Sequence, residues 1–262
     1  MMNQWLSIQP KNPQPGTFTT WDVTELAGAG ARSAEVLAPA MSEHLISKEL
    51  VVSATEMLPP SKLSAFLKSR LPSTQILKRG VLGEVLAVRF LEDFRGHVVP
   101  IKKLHYRTAG HDSPKATDVL AIKLNDQMVI TEVAYVEAKY RTTRSGITAV
   151  ALTAHDQLQK DCRDEIPGIM GFAAQILRER HDPLFAPLMT YLRDRDIDDI
   201  DTHHVVLVMD KGCWRDSDLT TLVDHEDILE PLEVYILVID GLVAKTEAVY
   251  KIIGYEGMLD DE

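Results

Sequence analysis

From Gly80 onward the apolar positions fall into regular periods. Val81, Leu82, Val85, Leu86, Val88, Phe90, Leu91 and Phe94 recur at helical spacing and predict an amphipathic helix that stops near Arg95-Gly96, where glycine supplies the usual C-cap. Three strands are expected next, over His97–Tyr106, Ala116–Leu124 and Val129–Tyr140, with a tight turn at Asn125-Asp126 joining the last two into a hairpin. Basic, turn-prone residues follow Tyr140, then a long helical pattern over Ile147–Cys162 and a shorter one over Gly168–Glu179. His204–Met209 and Val234–Ile239 are almost wholly apolar, as strands buried on both faces are. The order helix, three strands, helix, strand predicts an α/β fold with a mixed central sheet flanked by helices.

The first seventy or so residues read differently. Pro10, Pro13, Pro15, Pro39, Pro59, Pro60 and Pro72 punctuate short pieces. Two modest elements are expected there, Glu43–Thr55 and a helix over Ser61–Arg70 capped by Ser61. Residues 1–75 are therefore taken as an N-terminal extension that covers the core or binds a partner, and residues 76–262 as the main domain with an acidic C-terminal part.

Composition adds bounds rather than a function. The chain of 262 residues is 45% hydrophobic and 26% charged, ordinary globular material. Its apolar stretches are far shorter than the roughly 20 residues of a membrane span. The start MMNQWLSIQPKNPQPG lacks the basic and apolar runs of a secretory signal, so a cytoplasmic protein without membrane association is expected. Cys162 and Cys213 stand apart and read as free thiols.

Net charge is −11, which argues against coating nucleic acid by bulk electrostatics. The distribution alters that picture: residues 68–163 carry 16 Lys/Arg against 10 Asp/Glu, whereas residues 164–262 carry 8 against 23. A basic middle suits nucleic-acid contact, and an acidic tail suits solvent or a basic partner.

The chemistry sits in that basic middle. Glu137 and Lys139 are two residues apart in an apolar strand and so share one of its faces. Charges there are expensive to bury unless paired or metal-bound. The hairpin can bring Asp118 beside Glu137. Two converging carboxylates suit Mg²⁺, with Mn²⁺ able to substitute. Such an ion polarises a phosphodiester and acidifies a bound water, while Lys139 orients or deprotonates that water. Glu84 is a lone acid on the preceding helix beside Gly83, and a close approach of that helix at Gly83 would add Glu84 as a further ligand. A structural ion pair and an exposed helix residue are the plain alternatives for Glu137-Lys139 and for Glu84.

Gly83-Glu84, Thr117-Asp118 and Val136-Glu137-Ala138-Lys139 together resemble the helix Glu, the Asp and the ExK of the PD-(D/E)xK nucleases, with Thr117 where the superfamily name has Pro. More narrowly, RGVLGEVLAVRFLEDF, HDSPKATDVLAI and YVEAKYR resemble the HamA nuclease family of the Hachiman anti-phage defence system. The resemblance implies a restriction-endonuclease-like fold and a DNA nuclease that works with the superfamily 2 helicase HamB, which restrains it until damaged or foreign DNA is engaged. It further implies Glu84, Asp118, Glu137 and Ala138 as metal-binding positions and Lys139 as the catalytic lysine. A catalytically inactive DNA-sensing or assembly subunit, or a restriction or repair nuclease without a helicase, stays open.

Other residues carry weaker signals. Lys102, Lys103, Arg107, Lys115, Arg141 and Arg144 flank the expected site and could position phosphates. Gln157, on the helix after the ExK strand, is a candidate supporting polar residue. His155, His203 and His204 have no second ligand at a metal-like spacing and read as surface or sheet-end histidines. Asp194, Asp196, Asp198, Asp199 and Asp201 lack the central Gly and closing Glu of a calcium loop and read as a solvated acidic loop. No Walker-type phosphate loop is present, so any ATP-driven motor must come from another chain.

Overall fold

The computed structural model describes residues 2–11, 18–106, 117–145, 149–164, 166–196 and 201–253. Among them the chain runs β1 (Leu6–Pro10), β2 (Phe18–Glu25), α1 (Ser33–Leu45), α2 (Lys48–Met57), α3 (Pro60–Ser69), α4 (Gln75–Arg95), β3 (Val119–Leu124), β4 (Ile130–Arg141), α5 (Val150–Asp164), α6 (Ile166–Glu179), α7 (Phe185–Asp194), β5 (Thr202–Asp210), α8 (Thr220–Val223), β6 (Leu232–Ile239) and α9 (Leu242–Ile253). The strands form one mixed sheet in the order β1-β2-β6-β5-β4-β3. β2, β6, β5 and β4 are parallel, and β1 and β3 close the two edges antiparallel.

Helices cover both faces, and strand alternation decides which residue meets which layer. Ala134, Val136 and Tyr140 of β4 join Val206, Val208, Tyr235 and Leu237 in a core under α1, α4 and α9. Val133 and Tyr135 join Val205, Leu207, Val234 and Ile236 in a second core under α5, α6 and α7. β5 and β6 are buried almost throughout because each has a helix layer on either side. Leu82, Leu86 and Phe90 of α4 are fully buried, each contributing roughly 1.5–3 kcal/mol of transfer free energy.

α4 ends where glycine is needed: Gly96 sits in the left-handed region at φ 68°. It begins five residues before the apolar pattern, capped by the Thr74 hydroxyl, which accepts the Leu77 N–H at 3.2 Å. That first turn is largely exposed, so it carries no apolar period.

Several expectations need correction. His97–Tyr106 is not a strand; it makes a single antiparallel bridge from Val98 to Ile122 and then a 3-10 turn over Lys103–Tyr106. Pro100 has no N–H for a ladder. The turn after β3 is longer than Asn125-Asp126. It spans Asn125–Val129, where the Asn125 carboxamide oxygen accepts from Gln127 and Val129 N–H and Met128 takes φ 61°. Helix α3 is capped by Pro59 with Pro60 at its start, so Ser61 lies inside it. The stretch Glu43–Thr55 divides between the end of α1 and α2, with Ser47 capping the latter.

Leu6–Pro10 and Phe18–Glu25 supply two strands that the proline-rich composition concealed, and α7, α8 and α9 also lay outside the expected elements. One apolar core runs across residue 75, uniting Met2, Trp5, Leu6, Val23, Leu37 and Leu67 with Val81, Leu82 and Val136. Among the described residues no helix is long and apolar enough to cross a membrane.

Candidate active site

The β3–β4 register pairs Leu120 with Tyr135 and Val119 with Val136. One step further along both strands sets Asp118 opposite Glu137. By alternation both acids, and Lys139, lie on the α5 side of the sheet with Leu120 and Tyr135. The Asp118 Oδ2 accepts the main-chain N–H of Ala138 at 2.9 Å, which binds the first acid to the strand bearing the second.

The chain entering β3 is clamped by two buried side chains. The Thr117 hydroxyl donates to the Val136 carbonyl at 2.7 Å, and the Lys103 ammonium donates to the Thr117 carbonyl at 2.7 Å. Thr117 thus extends the ladder through its side chain, a bond that proline could not make.

Glu137 is 4% exposed, and its Oε1 is in a close ion pair with the Lys139 Nζ. Burial and the facing Asp118 carboxylate push its pKa up to about 8, against the opposing pull of Lys139, and Asp161 of α5 adds to the rise. Asp161 is itself buried and accepts the Gln157 Nε2 at 2.7 Å. Glu137 is therefore paired with Lys139 and is also acted on by two further carboxylates, Asp118 and Asp161. Acids acting on one another in a poorly hydrated place are the kind of environment a divalent cation relieves.

Gly83 lets α4 lie close on β4: a Cβ there would be 3.4 Å from the Tyr140 Cβ. Tyr140 belongs to the opposite face from Glu137, so α4, which carries Glu84, packs on the other side of the sheet. The β3 ladder stops at Val119–Val136, and Glu84 follows Gly83 on α4. Its Oε2 is shielded from solvent.

The flanking basic residues divide. Lys103 is buried on Thr117 and does not face outward. Arg144 is committed to the Cys213 carbonyl at 2.5 Å and to the fully buried Asp218 carboxylate at 2.6 Å. Arg141 donates to the Tyr140 carbonyl, and Lys102 lies 3.7 Å from the Glu43 carboxylate. Arg107 and Lys115 lie outside the described residues. Gln157, expected as a supporting residue, bonds Asp161 as above.

His203 and His204 lie at the start of β5, a sheet end as expected, but none of the three histidines is at the surface: His155 and His204 are 0% exposed and His203 8%. His155 accepts the Leu229 N–H at 3.1 Å. His204 lies near His97 and Glu132, and these three offer ligand atoms within 4.8 Å of one another, a group that could hold a metal ion. Asp201 is structural rather than solvated, accepting from Val133 N–H at 2.8 Å and the Tyr191 hydroxyl at 3.1 Å. Asp198 and Asp199 lie outside the described residues.

Two features escaped the sequence. Asp161 had a signal, since it continues the buried stripe Ala151, Ala154 and Leu158 at helical spacing, where an acid is out of place. The His97, Glu132 and His204 group had none, because its members come from distant parts of the chain.

The HamA family model matches residues 11–243, a span that includes every strand but β1. The chain belongs to the HamA family. Membership of the HamA family points to anti-phage defence in the Hachiman system. No curated protein matches the chain.

Proposed function

We propose that this HamA-family chain is a divalent-metal-dependent deoxyribonuclease of the PD-(D/E)xK type, with a restriction-endonuclease-like core, acting in the cytoplasm with a superfamily 2 helicase partner. The observation that carries this reading is the shared face of Asp118, Glu137 and Lys139, with Asp161 adding a further acid. A purely structural ion pair needs one carboxylate for one ammonium, whereas Glu137 faces two further carboxylates besides Lys139.

Asp118 and Glu137 fit as oxygen ligands for Mg²⁺ or Mn²⁺, with Glu84 of α4 as a further candidate ligand and Ala138 able to offer only main-chain atoms. Bound there, the ion would polarise the scissile phosphate and acidify a water. Lys139 lies beside Glu137, where its ammonium can orient that water and offset charge building on the phosphate. Asp118, held by the Ala138 N–H, keeps its carboxylate aligned with Glu137. Gln157 orients Asp161 from α5. Arg141 and Lys102 remain the flanking cations that could meet the DNA backbone.

The test is incubation of the full chain, alone and with its helicase partner, with plasmid DNA and Mg²⁺ or Mn²⁺, and with Glu137→Ala/Lys139→Ala as control. Cleavage by the native chain that the double variant loses supports the reading. Absence of cleavage in every condition would instead favour an inactive sensing or assembly subunit, while cleavage indifferent to the helicase would favour an autonomous nuclease.

A further inference from the structure

On the sheet face opposite Glu137, three side chains from separate elements converge. His97 follows the Gly96 cap of α4, Glu132 lies on β4 and His204 on β5. His97 Nε2 is 3.1 Å from Glu132 Oε1, His204 Nε2 is 4.0 Å from the same oxygen, and one ligand atom from each residue lies within 4.8 Å of the others. Around a tetrahedral transition-metal ion with bonds of about 2.0–2.2 Å, neighbouring ligand atoms sit roughly 3.3–3.6 Å apart, so modest side-chain movement closes the group on an ion.

The second observation is independent of that spacing. The His204 ring is wholly enclosed, and among the described residues neither of its nitrogens has a hydrogen-bond partner; the His97 Nδ1 also lacks one. Buried imidazole nitrogens almost always find a partner, because leaving them unpaired forfeits their hydration for nothing. The two rings meet edge to face, 5.5 Å apart at 88°.

The surroundings are built to orient Glu132. Thr202 donates to its Oε1 at 2.9 Å and Lys123 pairs with its Oε2, contacts of the kind that fix a ligating carboxylate. The charged groups around the site are Lys123 and Arg95, the latter already paired with Glu233 at 2.8 Å, and the Tyr235 hydroxyl also bonds Glu233.

We propose that His97, Glu132 and His204 form a buried site for a transition-metal dication of the zinc class, distinct from the carboxylate pocket and fastening the end of α4 to β4 and β5. Two imidazoles with one carboxylate select such ions over Mg²⁺, which prefers an all-oxygen shell. The site is separated from the Asp118–Glu137 pocket by the sheet itself.

The experiment uses the full chain stripped of metal by chelation and titrated with Co²⁺ as a visible-spectrum probe, then with Zn²⁺ in competition. One equivalent of Co²⁺ is expected to give ligand-field bands that Zn²⁺ abolishes, that Glu137→Ala retains, and that His97→Gln or His204→Asn shifts to at least about tenfold higher Co²⁺. Zn²⁺ is also expected to raise the melting temperature of the native chain and of Glu137→Ala, and not that of His97→Gln. Should His204→Asn fail to fold, His97→Gln decides, with far-ultraviolet circular dichroism reporting its fold. The absence of bands, bands unchanged in His97→Gln, or bands lost only in Glu137→Ala would each overturn the assignment.

Discussion

Asp118 accepts the N–H of Ala138 at 2.9 Å, so an acid outside the β3 ladder is held in register with the strand that carries Glu137 and Lys139. The bond needs only an acceptor oxygen, whereas metal binding needs charge. Asp118→Asn should therefore keep the fold, with a stability change within about 1 kcal/mol, while cutting DNA cleavage by at least about 100-fold. Thermal melts beside plasmid cleavage in Mn²⁺ check the split; loss of both together would make Asp118 a structural residue.

Glu137 gives the metal-free chain a distinctive pH dependence. Its pKa rises from the ordinary 4.5 to about 8 in the fold, so between those values the folded chain holds a proton that the unfolded chain releases. Stability then falls as pH rises through that window, by an amount of the order of a few kcal/mol, and Glu137→Gln flattens the slope. Divalent ions compete with the same proton, so Mn²⁺ affinity should climb with pH up to about 8. Urea denaturation in chelator from acid to alkaline pH, repeated on the variant, measures the first effect, and Mn²⁺ titration the second.

Asp161 is the acid that the ExK pattern does not contain. It is buried, raises the Glu137 pKa and is held by Gln157. Asp161→Asn should weaken Mn²⁺ binding by roughly 10–100-fold and bring the Glu137 pKa down, with Gln157→Ala showing a smaller change in the same direction. Calorimetric Mn²⁺ titration of the two variants is the measurement; unaltered affinity in Asp161→Asn would confine that residue to packing.

What could be read beforehand follows from how local each signal is. Glu137 and Lys139 were legible because a strand turns a spacing of two into a shared face, and Asp118 because a hairpin joins neighbouring strands. The restraint at Gly83 was legible for the same reason: a glycine amid large apolar residues implies close approach, and Tyr140 is what it meets. Strand β2 was hidden because only Phe18, Thr20 and Val23 of it are buried, a weak alternation set among prolines. The pairing of His97 with Glu132 and His204 is set by sheet order, which no spacing encodes. Lys103 misled because a lysine beside the site reads as a phosphate contact, whereas burial turned its ammonium onto a carbonyl.

Thr117 anchors the chain where it enters β3. It is buried and bonds the Val136 carbonyl at 2.7 Å, while its own carbonyl takes the Lys103 ammonium at 2.7 Å. Thr117→Val removes the hydroxyl with little change of shape and leaves the Val136 oxygen short of a donor, at a cost of about 1–3 kcal/mol. The carboxylate and ammonium of the site are untouched, so cleavage per folded molecule at low temperature should stay within about threefold of native. Lys103→Met severs the other clamp, and because both meet at one residue, the two substitutions together should depart from additivity by about 0.5 kcal/mol or more. Urea denaturation of the single and double variants gives the coupling directly; strict additivity would mean that the two bonds hold the entry to β3 independently.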